Sequence, residues 1–239
     1  MIKLAINGCM GKMGNRTVEL AGLDSDFKIV LALESKNHEA IGSRINNNLT
    51  VGSDVTQIKQ ADVVIDFSSG AGVLGLLEHA VSFKKALVIG TTGLSEQELA
   101  EVKDAAEFIP ILFSPNMSLG VNLLFKLVAE AAEKLKAYKI EITEAHHVHK
   151  KDAPSGTAKK LAEILEAKCG KKIENIRSIR EGEIIGDHEV RFESGQDVII
   201  LKHSAKTRDI FVLGALAAAK WAIKQPKGLY SMQDVLGKY

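Results

Sequence analysis

The sequence holds only two cysteines in 239 residues, Cys9 and Cys169. They are too few for a disulfide framework and stand in no metal-ligand spacing, so the chain has to fold on its apolar core, as expected in a reducing compartment. It also lacks an excess of either charge: 31 Lys and Arg against 30 Asp and Glu leave +1. That balance excludes bulk attraction to nucleic acid or an anionic membrane, and any anion site must be local. No apolar run approaches the ~18 to 20 residues that span a bilayer, and residues 1–6 look like a strand rather than a signal peptide. Repeats and low-complexity linkers are missing too. The expectation is a cytoplasmic globular protein with neither nucleic-acid nor membrane partner, long enough to form one large or two modest domains.

What is present is an alternation of short β-branched runs with helical patterns. Residues 2–6, 27–33, 63–67, 86–89 and 109–113 predict strands. Helices are predicted between them at 15–23, 73–83 and 96–106, the last opened by Ser95 and Glu98 in capping-box spacing. This rhythm predicts a Rossmann-like parallel sheet of roughly five βα units. Beyond residue 118 the pattern changes to a long helix over 119–136, a strand over 139–145, a helix over 156–168 and several strands within 176–204. A second α+β domain on a mostly antiparallel sheet follows from that pattern. We place the first domain at 1–117, completed by 209–239, whose Ala-rich helix is suited to pack back on the first sheet, and the second domain at 118–208.

Three glycines, Gly8, Gly11 and Gly14, follow the first strand at every third position. Gly8 suits a tight turn, Gly11 a close backbone approach to a pyrophosphate, and Gly14 helix–sheet packing, with the phosphates on the helix amino terminus. Lys12 adds positive charge. Glu34, at the end of the second strand, can accept hydrogen bonds from the adenine ribose. Its carboxylate favours NADH, whereas Lys36 can pair with the 2′-phosphate of NADPH. Cys9 is a loop filler with no histidine beside it in sequence to activate it. Two later loops fall where an open parallel sheet places its ligands: Gly90-Thr91-Thr92-Gly93, offering backbone donors and two hydroxyls to a nicotinamide ribose, and Ser114-Pro115-Asn116-Met117.

The densest chemistry lies in Glu144-Ala-His146-His147-Val-His149-Lys150-Lys151-Asp152-Ala-Pro-Ser155-Gly156-Thr157-Ala158. A zinc site lacks recognisable ligand spacing and His-Glu-x-x-His is missing. Pro-Ser-Gly-Thr at a helix start can hold a carboxylate through backbone N–H groups and the Thr157 hydroxyl, with lysine as countercharge. A histidine titrating near neutrality can exchange the proton that accompanies hydride addition. A semialdehyde dehydrogenase would need a nucleophile, for which Cys169 is poorly placed. A redox-sensing module would have no use for the histidine and lysine cluster.

This segment closely resembles the signature of the dihydrodipicolinate reductases. Gly8-Cys9-Met10-Gly11-Lys12-Met13, Asp66-Phe-Ser-Ser69 with Val88-Ile-Gly-Thr-Thr-Gly93, and Ser114-Pro-Asn-Met-Ser-Leu-Gly-Val-Asn122 match that family in order. The resemblance implies reduction of 4-hydroxy-tetrahydrodipicolinate, a small dicarboxylate, with NADH or NADPH. It implies that His146 and Lys150 are the catalytic pair, that His147 contacts substrate, and that Gly156 and Thr157 bind a carboxylate. It further implies that Gly8, Cys9, Met10, Gly11, Lys12, Met13, Glu34, Gly90, Thr91, Thr92, Ser114, Pro115, Asn116 and Met117 hold the cofactor, without a metal, and that the second sheet forms the core of a homotetramer. Many members carry an arginine directly after the ribose-binding acid and an aromatic residue where this chain has Met117; here Ser35 and Lys36 follow the acid.

Overall fold

A computed structural model describes residues 1–46 and 49–237. Residues 47, 48, 238 and 239, included in the expected first domain, lie outside the described residues. Along the chain run β1 (Ile2–Asn7), α1 (Lys12–Leu23), β2 (Phe27–Leu33), β3 (Arg44–Asn46), β4 (Leu49–Gly52), a 3-10 turn (Val55–Gln60), β5 (Val63–Asp66), α2 (Gly70–Ser82), β6 (Ala86–Ile89), α3 (Glu96–Ala106) and β7 (Pro110–Phe113). There follow α4 (Leu119–Lys134), β8 (Lys139–His146), α5 (Gly156–Cys169), β9 (Ile176–Arg180), β10 (Asp187–Glu193) and β11 (Val198–Ser204). The chain ends with α6 (Asp209–Ala222), β12 (Gly228–Tyr230) and α7 (Met232–Val235). It divides into two compact units, Met1–Ser118 with Phe211–Tyr239, and Leu119–Ile210.

The first unit is built on a sheet of order β12-β7-β6-β5-β1-β2-β4-β3, parallel except for the β3/β4 pair. β5 and β6 are buried along their whole length, as expected of apolar strands with helices on both faces. The strand order reverses at β1 and β5, and the crevice beyond their carboxyl ends is where such sheets bind ligands. The tail rejoins this sheet through β12 on β7, and Lys220 of α6 reaches Asp24 and Asp26 at 2.8 and 2.6 Å. Three short strands, β3, β4 and β12, were not expected from the sequence. α1 also starts at Lys12 rather than at residue 15, which brings Gly14 into its first turn.

The second unit has the sheet order β11-β10-β8-β9, antiparallel except for β8/β9. β10 alternates strictly, turning His188, Val190 and Phe192 inward. With Ile142 of β8, these apolar residues pack against Val121, Leu124 and Val128 of α4 and Leu161 and Leu165 of α5. The antiparallel ladder thus fixes which side chains of β8 share a buried face.

Candidate active site

In the first unit the glycine loop is shaped by contacts that leave no room for side chains. Gly8 adopts φ +76°, and a Cβ there would run into the Phe67 carbonyl. A Cβ on Gly14 would run into the Gly8 carbonyl oxygen. The Gly8 and Cys9 N–H groups donate to the Leu33 carbonyl at 2.9 and 3.0 Å. Gly11 caps α1 without a side-chain hydrogen bond, and the first turn carries no acidic residue. The amino terminus of α1 therefore presents N–H groups and a positive dipole end suited to a phosphate. A cleft of about 680 Å³ opens beside it, lined by Gly8, Met10, Gly11, Glu34, Lys36 and His38 among others. Glu34 accepts the Met10 N–H at 3.1 Å and the Ser35 N–H at 2.9 Å, which ties the acid to the glycine loop. A glycine cradle, a helix start without a side-chain cap and an acid on the same cleft fit a dinucleotide.

Sequence reasoning missed a polar network at the sheet's switch point. Asp66, at the end of β5, is fully buried and accepts from Asn7 Nδ2 at 2.6 Å, from Ser68 Oγ at 2.8 Å and from the Thr91 hydroxyl. Burial pushes the Asp66 carboxyl up, while these bonds from Thr91, Asn7 and Ser68 pull it back only in part. The network joins the ends of β1, β5 and β6. Within it the Thr91 hydroxyl donates to Asp66 and accepts the Ser68 N–H at 2.8 Å, bonds that shape the loop of residues 90–93. Gly90 lies against the Phe67 ring, where a Cβ would collide, and Thr92 is exposed. Cys9 is fully buried, its thiol pushed up to about 11 by burial and by Glu34; Lys12 and Met13 follow on the first turn of α1. Ser114 donates from its hydroxyl to the Asn116 carbonyl at 2.8 Å, and Asn116 Oδ1 accepts the Ser118 N–H at 2.9 Å, a self-bonded turn that carries Pro115 and ends on buried Met117.

In the second unit β8 delivers Glu144 and His146 to one buried face, two residues apart. His146 Nδ1 bonds Glu144 Oε2, and Arg180 Nη2 bonds Glu144 Oε1 at 2.8 Å. Burial alone would raise the Glu144 carboxyl, but bonds from Arg180, Ser178 and His146 outweigh it and hold it low. Burial pushes His146 below its ordinary value, partly offset by Glu144. The three histidines of the segment diverge: His146 is buried, His147 half-buried and His149 exposed, 3.8 Å from Glu183. Lys150 Nζ meets Asp152 Oδ1 at 2.8 Å. Ser155 caps α5 by accepting the Ala158 N–H at 3.2 Å, which puts Gly156 and Thr157 in the first two helical positions, where N–H groups have no intrahelical acceptor.

His188, to which no role was assigned from the sequence, bonds Ser155 Oγ through Nε2 at 3.1 Å and stands edge-on to His146, ring centroids 5.1 Å apart. Its position on the inward phase of an alternating strand was the available signal. Burial, then the neighbouring His146, push His188 down to about 4. A base lowered from 6.5 when folded stabilises the fold fully above pH 6.5, and that stability is lost as pH falls towards 4. The loss attributable to His188 is on the order of 3 kcal/mol. Urea midpoints measured from pH 7 to pH 4 are expected to decline less steeply in His188→Gln than in the wild type; equal slopes would contradict this assignment.

Two family profiles match the chain, the amino-terminal part of dihydrodipicolinate reductase over residues 2–117 and the carboxyl-terminal part over residues 120–236. A 4-hydroxy-tetrahydrodipicolinate reductase of Caldanaerobacter subterraneus is 41% identical over 256 aligned positions, spanning 100% of this chain and 99% of that protein. One of Pelagibacter ubique is 42% identical, spanning 98% of each. Among solved structures, a dihydrodipicolinate reductase from Paenisporosarcina sp. TG-14 with dipicolinate bound has a TM-score of 0.86 at 24% identity, covering 98% of this chain and 99% of that one, a likeness that speaks for the fold. With profiles over both halves and relatives of this identity along the whole length, the chain belongs to the dihydrodipicolinate reductase family.

Proposed function

We propose that this NAD(P)H-dependent reductase converts 4-hydroxy-tetrahydrodipicolinate to tetrahydrodipicolinate and water with the work divided along residues 144–158. His146 and Lys150 handle proton and charge; Gly156 and Thr157 hold a substrate carboxylate. The observation that carries this reading is the pairing of His146 Nδ1 with buried Glu144, which leaves Nε2 as the ring nitrogen that exchanges a proton. Gly186 supports it: a Cβ there would stand 3.1 Å from His146 Nε2, so the missing side chain keeps that nitrogen clear.

Bound at the glycine loop, the dinucleotide supplies the hydride. The 4-hydroxyl leaves with a hydrogen from the neighbouring ring carbon as water, and the resulting double bond then takes up the hydride at one carbon and, at the other, one proton delivered from His146 Nε2. Lys150, drawn from Asp152, balances the negative charge of the substrate, and the α5 amino terminus orients a carboxylate through its dipole and N–H groups. His147 Nδ1 is buried with no hydrogen-bond partner among the described residues, which supports a substrate contact. Gly8, Met10, Gly11 and Glu34 hold the dinucleotide directly. Cys9, Lys12, Met13, Gly90, Thr91, Thr92, Ser114, Pro115, Asn116 and Met117 complete or shape its loops.

The chain works as a cytoplasmic homotetramer in this reading. No helix among the described residues is long and apolar enough to cross a membrane. On β11, an edge strand of the second sheet, Val198, Ile199 and Ile200 are 42, 39 and 49% exposed, an apolar edge that assembly would cover.

The test is a coupled assay that generates the substrate in place from aspartate semialdehyde and pyruvate and compares NADH with NADPH at equal concentration. Both are expected to be oxidised, because Glu34 disfavours a 2′-phosphate while Lys36 on the same cleft offsets it. Lys36→Met is expected to weaken NADPH alone. Oxidation of neither cofactor would refute the function.

A further inference from the structure

The His146–Glu144 contact belongs to a longer chain of buried groups. Glu144 is fully buried, and an ionised carboxylate there needs every acceptor position matched. Arg180 provides the match. It sits on β9 directly beside His146 in the parallel register, and its guanidinium donates to Glu144 Oε1 at 2.8 Å, to the Asp152 carbonyl at 2.6 Å and to the Ile179 carbonyl at 2.7 Å. One cation thus holds the carboxylate behind His146 and the loop that carries Lys150. On its other side His146 meets the His188 ring, whose Nε2 bonds the Ser155 hydroxyl that caps α5.

We infer that Glu144, fixed by Arg180, is the positioning residue for His146: it accepts the Nδ1–H, selects that tautomer, and so assigns proton exchange to Nε2. A carboxylate can only accept, so the neutral imidazole beside it must carry its hydrogen on Nδ1. The groups facing His146 are Glu144 on its own strand, Arg180 on β9, His188 on β10 and Lys150 on the loop. Glu144 is the one anion among them. Burial, Lys150 and Arg180 all disfavour a charged His146, and Glu144 opposes them, so the carboxylate limits how far the imidazole is pushed below its ordinary value. His188 stays neutral in that range and adds no competing charge.

This inference rests on His146 as the proton-exchanging group, and the experiment separates the two. In Glu144→Gln the amide can present either an acceptor or a donor to Nδ1, so the tautomer is no longer fixed. The variant's kcat is expected to fall by up to about 10⁴-fold, the loss seen when the carboxylate orienting a catalytic histidine becomes an amide. The limb of the kcat/KM profile that falls as His146 loses its proton should move to lower pH, because the anion that favours the charged ring is gone. A double variant, His146→Ala with Glu144→Gln, should be no slower than His146→Ala alone. Losses that multiply in the double variant, or an unchanged pH profile in Glu144→Gln, would overturn the positioning role while leaving His146 in place. Near-normal turnover in His146→Ala would instead overturn the proton-exchange role, and this inference with it. Should Glu144→Gln fail to fold, nitrogen-15 histidine spectra of the unaltered enzyme decide the matter: neutral His146 protonated on Nδ1 is the expected result, and protonation on Nε2 overturns it.

Discussion

Replacing His146 by alanine is expected to lower kcat by about 10²- to 10⁴-fold, the usual contribution of a positioned general acid or base, while the affinity for NADH stays within about twofold. His146 is held by Glu144 on β8, in the unit Leu119–Ile210, whereas Gly8 and Glu34 belong to the other unit, so the substitution removes a ring nitrogen and leaves the residues of the glycine loop themselves unaltered. Exchange of a titrating ring for a methyl group leaves water as the proton source, and water is both poorly placed and a weak acid. Steady-state rates with substrate formed in place, beside a fluorescence titration with NADH, check both halves of the expectation.

The second large effect is expected at Gly14. Its Cβ would occupy the position of the Gly8 carbonyl oxygen and press on Cys9 Cα, so the obstacle is backbone and no rotamer change relieves it. α1 has to move away from the loop that its amino terminus serves. Gly14→Ala is expected to weaken NADH binding by about 10²-fold, equivalent to ~2.8 kcal/mol, and to lower stability by about 1 to 3 kcal/mol, as overpacking does. Gly22 is the internal control. It lies in the same helix with no atom near its missing Cβ, so Gly22→Ala should leave NADH binding unchanged and stabilise by roughly 0.5 to 1 kcal/mol through helix propensity. Isothermal titration and urea denaturation on the two variants measure the contrast; equal behaviour would show that the glycine serves flexibility rather than clearance.

How much of this could be read from the sequence depends on the range of the interaction involved. The parallel strands β1, β2, β5, β6 and β7 were legible because continuous apolar runs carry their own signal. β3 and β12, of three residues each, and β4, whose short run is broken by exposed Thr50, were not, since so little apolar sequence does not stand out before its partner strand is in place. The start of α1 was misplaced because Gly11 caps it without a polar side chain to announce the boundary. Within the site, the glycine loop, the acid after β2 and the histidine-lysine segment are contiguous patterns. Asn7 and Asp66 meet across 59 positions, Glu144 and Arg180 across 36, and Ser155 and His188 across 33, and no local spacing encodes such pairs. Glu144 and His146 were the exception. A carboxylate and an imidazole two apart on a strand share a face, and the sequence contained that information without any role having been drawn from it.

Residues 144–158 are proposed to comprise a proton-handling part around His146 and a carboxylate-holding part at Gly156 and Thr157. The most direct test is the separation of kcat from KM in His146→Ala and Thr157→Val measured side by side. In His146→Ala a large fall in kcat is expected with KM for the dicarboxylate little changed, and in Thr157→Val a KM raised roughly 10-fold or more with kcat nearly retained, the signature of lost uniform binding. The same pattern of loss in both variants, or the reverse assignment, would contradict the division.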